Sequence, residues 1–183
     1  RFDLSPLPVS ERVMGYQLIE TIEVGSGGAT SIEFTGIPQD GVDLVCVLSL
    51  RNSVNFLSSL NGQINFNSDT AGNYSSRFLF GDGSSAGSLS LSSSATALRP
   101  YVVGDTATAN TFSNNSVYIS NYTSSSSKSV SIDNVTENNA AAAHQSILAG
   151  NWTGTTAITS INITSGFTWM QYSTASLYKI TAD

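Results

Sequence analysis

"VDLVCVLSLR", Val42 to Arg51, decides the fold. Val42, Leu44, Cys46, Leu48 and Leu50 fall on one side of an extended chain, while Asp43, Val45, Val47, Ser49 and Arg51 fall on the other. A pleated strand imposes that period of two, because successive side chains point to opposite faces. Two valines on the second side predict a central strand, covered on both faces. Val45 and Val47 are therefore candidate interface residues if the cover is another subunit.

The same period extends in both directions. Tyr16, Leu18, Ile22 and Val24 predict one face of an earlier strand, interrupted by Glu20, and the glycines of "VGSGG" supply a turn. Ile32 and Phe34 continue the pattern in "TSIEF". Further strands are predicted over 63–67, 77–80, 87–91, 97–103, 115–120, 129–135, 157–164 and 174–180. "NNAAAAHQSILAGN" (138–151) reads as a helix capped by Asn139 or as a strand. The all-β surroundings favour the strand, since sheet pairing overrides local propensity. Many short strands separated by Gly, Ser and Asn predict an all-β protein, an antiparallel jelly-roll-like β-sandwich over residues 15–183.

Residues 1–14, "RFDLSPLPVSERVM", lack the alternation. Pro6 and Pro8 fix φ and remove backbone donors, which predicts an extended N-terminal arm. Phe2, Leu4, Leu7 and Val9 would be poorly placed in water, so an assembly arm lying in a groove of its own domain or of a neighbour is expected. Arg1 and Asp3 stand where the apolar core of a signal peptide would be, so no leader is expected.

Composition narrows the function. Apolar residues make up 40% and charged residues only 11%, with serine alone about one residue in six. The net charge is −6 and the seven basic residues are scattered, so neither phosphate backbones nor anionic membranes find a basic patch. Cys46 and His144 are each the sole residue of their type. They cannot form a disulfide or, between them, a metal site, and Cys46 reads as a small buried hydrophobe. His144 lacks a G-x-S-x-G partner motif and reads as a surface or groove histidine.

The passage 64–88, "INFNSDTAGNYSSRFLFGDGSSAGS", gathers Asn67, Asp69, Asn73 and Asp82. The spacing does not fit a calcium loop, whereas Asx turns account for it, so a hairpin connection is expected. Glu20 and Glu23 point to opposite faces of their strand and do not form the paired carboxylates of a glycosidase. Neither catalytic residues, nor a metal, nor a cofactor are expected, and the protein is read as a non-enzyme. Trp152, Trp169 and Tyr172, among Asn and Thr, form a candidate glycan platform. The Asn-x-Ser/Thr tripeptides at Asn73, Asn121, Asn134, Asn151 and Asn162 follow from composition.

Tyr16 to Arg51 resembles a segment of small virion-associated proteins of tailed bacteriophages. So do "INFNSDTAGNYSSRFLFGDGSS", "KSVSIDNVTENNAAAA" and "GNWTGTTAITSINIT", and "ASLYKI" is similar to an ending of Leu-Tyr-Gly-Ile with Lys179 in place of the glycine. The resemblance runs from about Tyr16 to Ile180 and carries no functional residues. It implies a β-sandwich on the particle exterior that decorates or cements the capsid as a homo-oligomer, with a trimer the form considered. The alternative it implies is a receptor-binding, glycan-binding module of a tail fibre or head fibre. The partners would be other virion proteins or a host surface glycan, not nucleic acid or a membrane.

Overall fold

The computed structural model describes residues 15–55, 58–136 and 143–181. The predicted arm, with Phe2, Leu4, Pro6, Leu7, Pro8 and Val9, lies outside them. The described residues contain strands and turns and no helix. In chain order the strands are β1 (Gly15–Glu23), β2 (Ala29–Phe34), β3 (Asp43–Leu50), β4 (Ser58–Ser59), β5 (Gln63–Phe66), β6 (Tyr74–Gly81) and β7 (Ala86–Ala95). Then come β8 (Val102–Val103), β9 (Ser113–Ile119), β10 (Lys128–Thr136), β11 (His144–Trp152), β12 (Ile161–Trp169) and β13 (Thr174–Thr181).

Eight strands form one antiparallel sheet in the order β1-β13-β3-β9-β10-β11-β6-β7. A three-stranded sheet, β2-β12-β5, supplies the second layer, and β4 pairs with β8. The chain passes between layers at β1 to β2, β2 to β3 and β5 to β6, as a jelly-roll-like sandwich does, but the layers are unequal. Eight strands face three.

The core is built from rows in cross-strand register. Leu177, Cys46, Val117, Ile132, Leu148 and Phe78 stand side by side across six strands of the large sheet. Against them the small sheet sets Phe34–Ile161–Phe66 and Ile32–Ile163–Ile64. All twelve are buried, each apolar side chain contributing roughly 1.5–3 kcal/mol by leaving water. Cys46 is one of them, as expected, and burial pushes its thiol pKa well up.

Several expectations are corrected by this geometry. The register of β1 against β13 slips between Leu18 and Glu20, so a bulge reverses the alternation. Ile19 and Ile22 pack on the core, whereas Tyr16 and Leu18 are exposed on the other side. β3 is central, between β13 and β9, yet no layer of described residues covers its outer face. Val45 is sheltered by its cross-strand neighbours Tyr118 and Tyr178, and Val47 is 44% exposed. The strand expected over 97–103 shrinks to β8, joined by a single bridge from Leu98 to Ile64. The segment that read as helix or strand is β11 from His144 onward.

Candidate functional site

The oxygen-rich passage resolves into two separate turns, and only the second is a hairpin. Residues 67–73 carry the chain from β5 in the small sheet to β6 in the large one, a corner between layers. Asn67 and Ser68 both have positive φ, 52° and 57°, in the left-handed region that Asn tolerates best among residues with a Cβ. The Asn67 side chain donates to the Ala157 carbonyl at 2.7 Å and accepts the Thr159 amide at 2.8 Å, tying the corner to the loop before β12.

Asp69 is fully engaged. Its Oδ2 accepts from Trp152 Nε1 at 2.7 Å and Asn73 Nδ2 at 2.9 Å, and its Oδ1 accepts the Ala71 amide at 2.9 Å. Burial raises its pKa, but those three donors outweigh it and hold the carboxyl below its ordinary range. Asp82 closes the β6–β7 hairpin by accepting the amides of Ser85 and Ser84 and both their hydroxyls, which also lowers its pKa. The oxygens of Asn67, Asp69 and Asp82 accept from the protein's own donors, within their turns and from the strand and loop packed beside them. Among the described residues no cluster of three His, Cys, Asp or Glu is placed to hold a metal.

The glycan platform is not formed. Trp152 and Trp169 are 2% and 0% exposed and end different sheets, so neither face is free to stack on a sugar. Trp152 lies among Phe66 and Tyr74 with Lys128 Nζ 5.7 Å over its ring, and Trp169 donates to the Ile163 carbonyl at 3.0 Å. Of the three residues only Tyr172 is exposed, at a left-handed φ of 69°. Aromatic rings flanked by Asn and Thr proved to be core, anchored through their N–H groups. Asn134, one of the tripeptide asparagines, is also buried, donating to the Tyr101 carbonyl at 2.8 Å and to Asn115.

His144 stands between Tyr101 and Phe80, ring centroids 3.9 and 5.9 Å away. Both ring nitrogens are buried without a hydrogen-bond partner among the described residues, and burial lowers the pKa despite the favourable charge of Asp82. Glu20 and Glu23 are both exposed on the edge strand β1.

Two basic residues, unremarked in the sequence, serve as internal clamps. Arg51 is 5% exposed, and its guanidinium donates to the carbonyls of Asp105, Ala107, Thr108 and Thr111 at 2.8–3.1 Å, folding the loop before β9. Lys128 is fully buried and donates to the carbonyls of Ser124 at 2.8 Å, Thr156 at 3.2 Å and Ser126. Burial lowers the pKa of both. Lys179, where the resemblance has glycine, is 6% exposed and pairs with Asp40 at 2.6 Å.

The outer face of the large sheet is accessible and carries several apolar residues. Leu18, Tyr178, Val45 and Tyr118 align in one cross-strand row over β1, β13, β3 and β9. Tyr16, Leu18, Val47 and Tyr118 are exposed there, and Tyr16 meets Tyr178 edge to face at 6.4 Å. Asp43 accepts from the Tyr118 hydroxyl and from the Asn121 amide, which pushes the Tyr118 pKa up to about 12 and fixes the ring against the sheet. The sequence offered a signal for this row, since Tyr118 and Tyr178 each sit one place out of phase with buried neighbours. No family model, curated protein or solved structure matches the chain.

Proposed function

We propose that the protein is a non-enzymatic structural component of a bacteriophage virion, seated on the particle exterior and decorating or cementing the shell through subunit contacts. The observation that carries this reading is the flat outer row of Leu18, Tyr178, Val45 and Tyr118. It is apolar and aromatic, and its tyrosines are held in place by packing and by Asp43. A rigid, shallow surface of that kind suits a broad protein partner better than a small molecule, which calls for a concave pocket. The resemblance of the sequence to phage virion proteins adds support, as do the apolar residues Phe2, Leu4, Leu7 and Val9 in the segment that precedes β1 in the sequence.

Purified particles from a host carrying the gene provide the test. Gold-labelled antibody and quantitative mass spectrometry should find the protein on the outside, in a fixed ratio to the shell protein. Deleting residues 1–14 should release it from particles while leaving the sandwich folded. Absence of the protein from every particle preparation would sink the proposal.

A further inference from the structure

The two edges of the large sheet are protected to different degrees. β1 carries Glu20 and Glu23 and a bulge at Ile19, devices that discourage another strand from pairing. β7 has none over most of its length. Its ten residues, "AGSLSLSSSA", include no charge and no proline, and among the described residues it pairs only with β6. From Ala86 to Leu91 the register with β6 is unbroken; the ladder becomes irregular only between Leu91 and Ala95. A straight, neutral edge leaves a row of backbone donors and acceptors available to a second strand.

Beside that edge lies an apolar patch. Leu79 on β6 and Ile147 on β11 face each other on the outer side, 65% and 56% exposed, with Ser88 of β7 next to Leu79; Leu89, 41% exposed, pairs with Phe78 and stands on the inner side of the same edge. Arg77 is the one charged side chain on β6, and β7 has none.

We infer that β7 is a self-association edge, pairing antiparallel with the β7 of a second copy to continue the large sheet across a two-fold axis near Leu89. The occupant follows from pattern and charge. Antiparallel pairing about Leu89 sets Leu89 against its symmetry mate, Gly87 against Leu91 and Ser88 against Ser90, so one side is centred on a leucine pair with room for each Leu91 over a glycine, and the other side continues as serine. A chain of net charge −6 approaches its copy most favourably where acidic residues are missing, and β7 is such a place. The contact is isologous, so it closes at two copies. It is independent of the virion proposal, because it requires no other protein.

Sedimentation velocity of the full chain over a concentration series tests it. The wild type should show a reversible monomer–dimer equilibrium of about micromolar strength, as suits an interface below about 1,200 Å². Ser88→Lys with Ser90→Lys, at two exposed positions, places lysines opposite lysines and should weaken the dimer roughly 10-fold or more. Gln17→Lys, on the opposite edge, should leave it unchanged. Hydrogen exchange of the wild type adds a measurement independent of any variant: β7 amides should slow with rising protein concentration and β1 amides should not. A wild type that stays monomeric to about millimolar concentration overturns the inference. So does a trimer or open-ended polymer, or a dimer that the double lysine variant leaves intact.

Discussion

The two faces of the large sheet are one residue apart in sequence and opposite in use. The inner row Leu177–Cys46–Val117–Ile132–Leu148–Phe78 is apolar across all six strands and buried against the small sheet. The outer row Tyr178–Val45–Tyr118–Ser131–Ala149–Arg77 is apolar over its first three strands and then turns small and polar. Burial within the molecule selects the first row, since every member must pack. On the second, apolar residues persist over β13, β3 and β9 without any layer of described residues to bury them. The comparison teaches that packing within the described residues accounts for one face only, and the apolar part of the other has no layer over it.

The inner face should yield the largest effect. Ile132→Ala removes three buried carbons from the middle of the row and should cost about 2–5 kcal/mol, measured by chemical denaturation. Ser131→Ala, its neighbour on the outer face, should change stability by less than about 0.5 kcal/mol. Equal losses at the two positions would break the contrast between faces.

The corner at 67–73 ranks next, because it fixes how the chain leaves one layer for the other. Asp69→Ala strands the Trp152 N–H and frees Asn73 and the Ala71 amide. A destabilisation of about 1–3 kcal/mol is expected, the cost of leaving a buried donor unpaired. Calcium added to the wild type should leave the unfolding midpoint where it was, since the carboxylate already has three donors.

How much of this was legible beforehand depends on whether the cause was local. Alternation in 42–51 identified β3 and its inner face, because burial against a second layer is written directly into residue type. The same alternation failed in 16–24, where the bulge at Ile19 exchanges the faces of β1, and a bulge leaves no mark in residue type there. Trp152 and Trp169 looked like sugar-binding rings because flanking Asn and Thr suggested a wet surface. Their actual partners, Asp69 and the Ile163 carbonyl, include one that lies 83 positions away. Arg51 and Lys128 escaped notice for a similar reason, since a cation that clamps main-chain carbonyls needs no acidic residue nearby to advertise it.

A smaller effect should follow from pH at the far end of the sheet. Burial between Phe80 and Tyr101 holds the His144 pKa below its unfolded value of about 6.5. Below that pH the unfolded chain binds a proton that the folded chain resists, so the stability present above pH 6.5 declines as pH falls toward 5. His144→Phe removes that proton-binding group and should flatten the slope there. A wild-type stability flat between pH 7 and 5 would show that the imidazole escapes its stacked position.

The smallest effect on stability, and the most informative, belongs to Val47→Lys. Val47 lies on the outer face between Ser176 and Ser116, already 44% exposed, and a lysine there can keep its stem along the sheet with its charge in water. Unfolding free energy should move by no more than about 0.5 kcal/mol. If the outer face meets a shell subunit, the same lysine desolvates a charge in the interface, and occupancy on particles should fall sharply although the protein folds normally. Val45→Lys would not separate the two effects, because Val45 is itself sheltered by Tyr118 and Tyr178 and its loss disturbs the sheet. Full occupancy of the Val47 variant, together with loss of occupancy for Leu79→Lys on the β6–β11 patch, would move the docking surface to the other end of the same face.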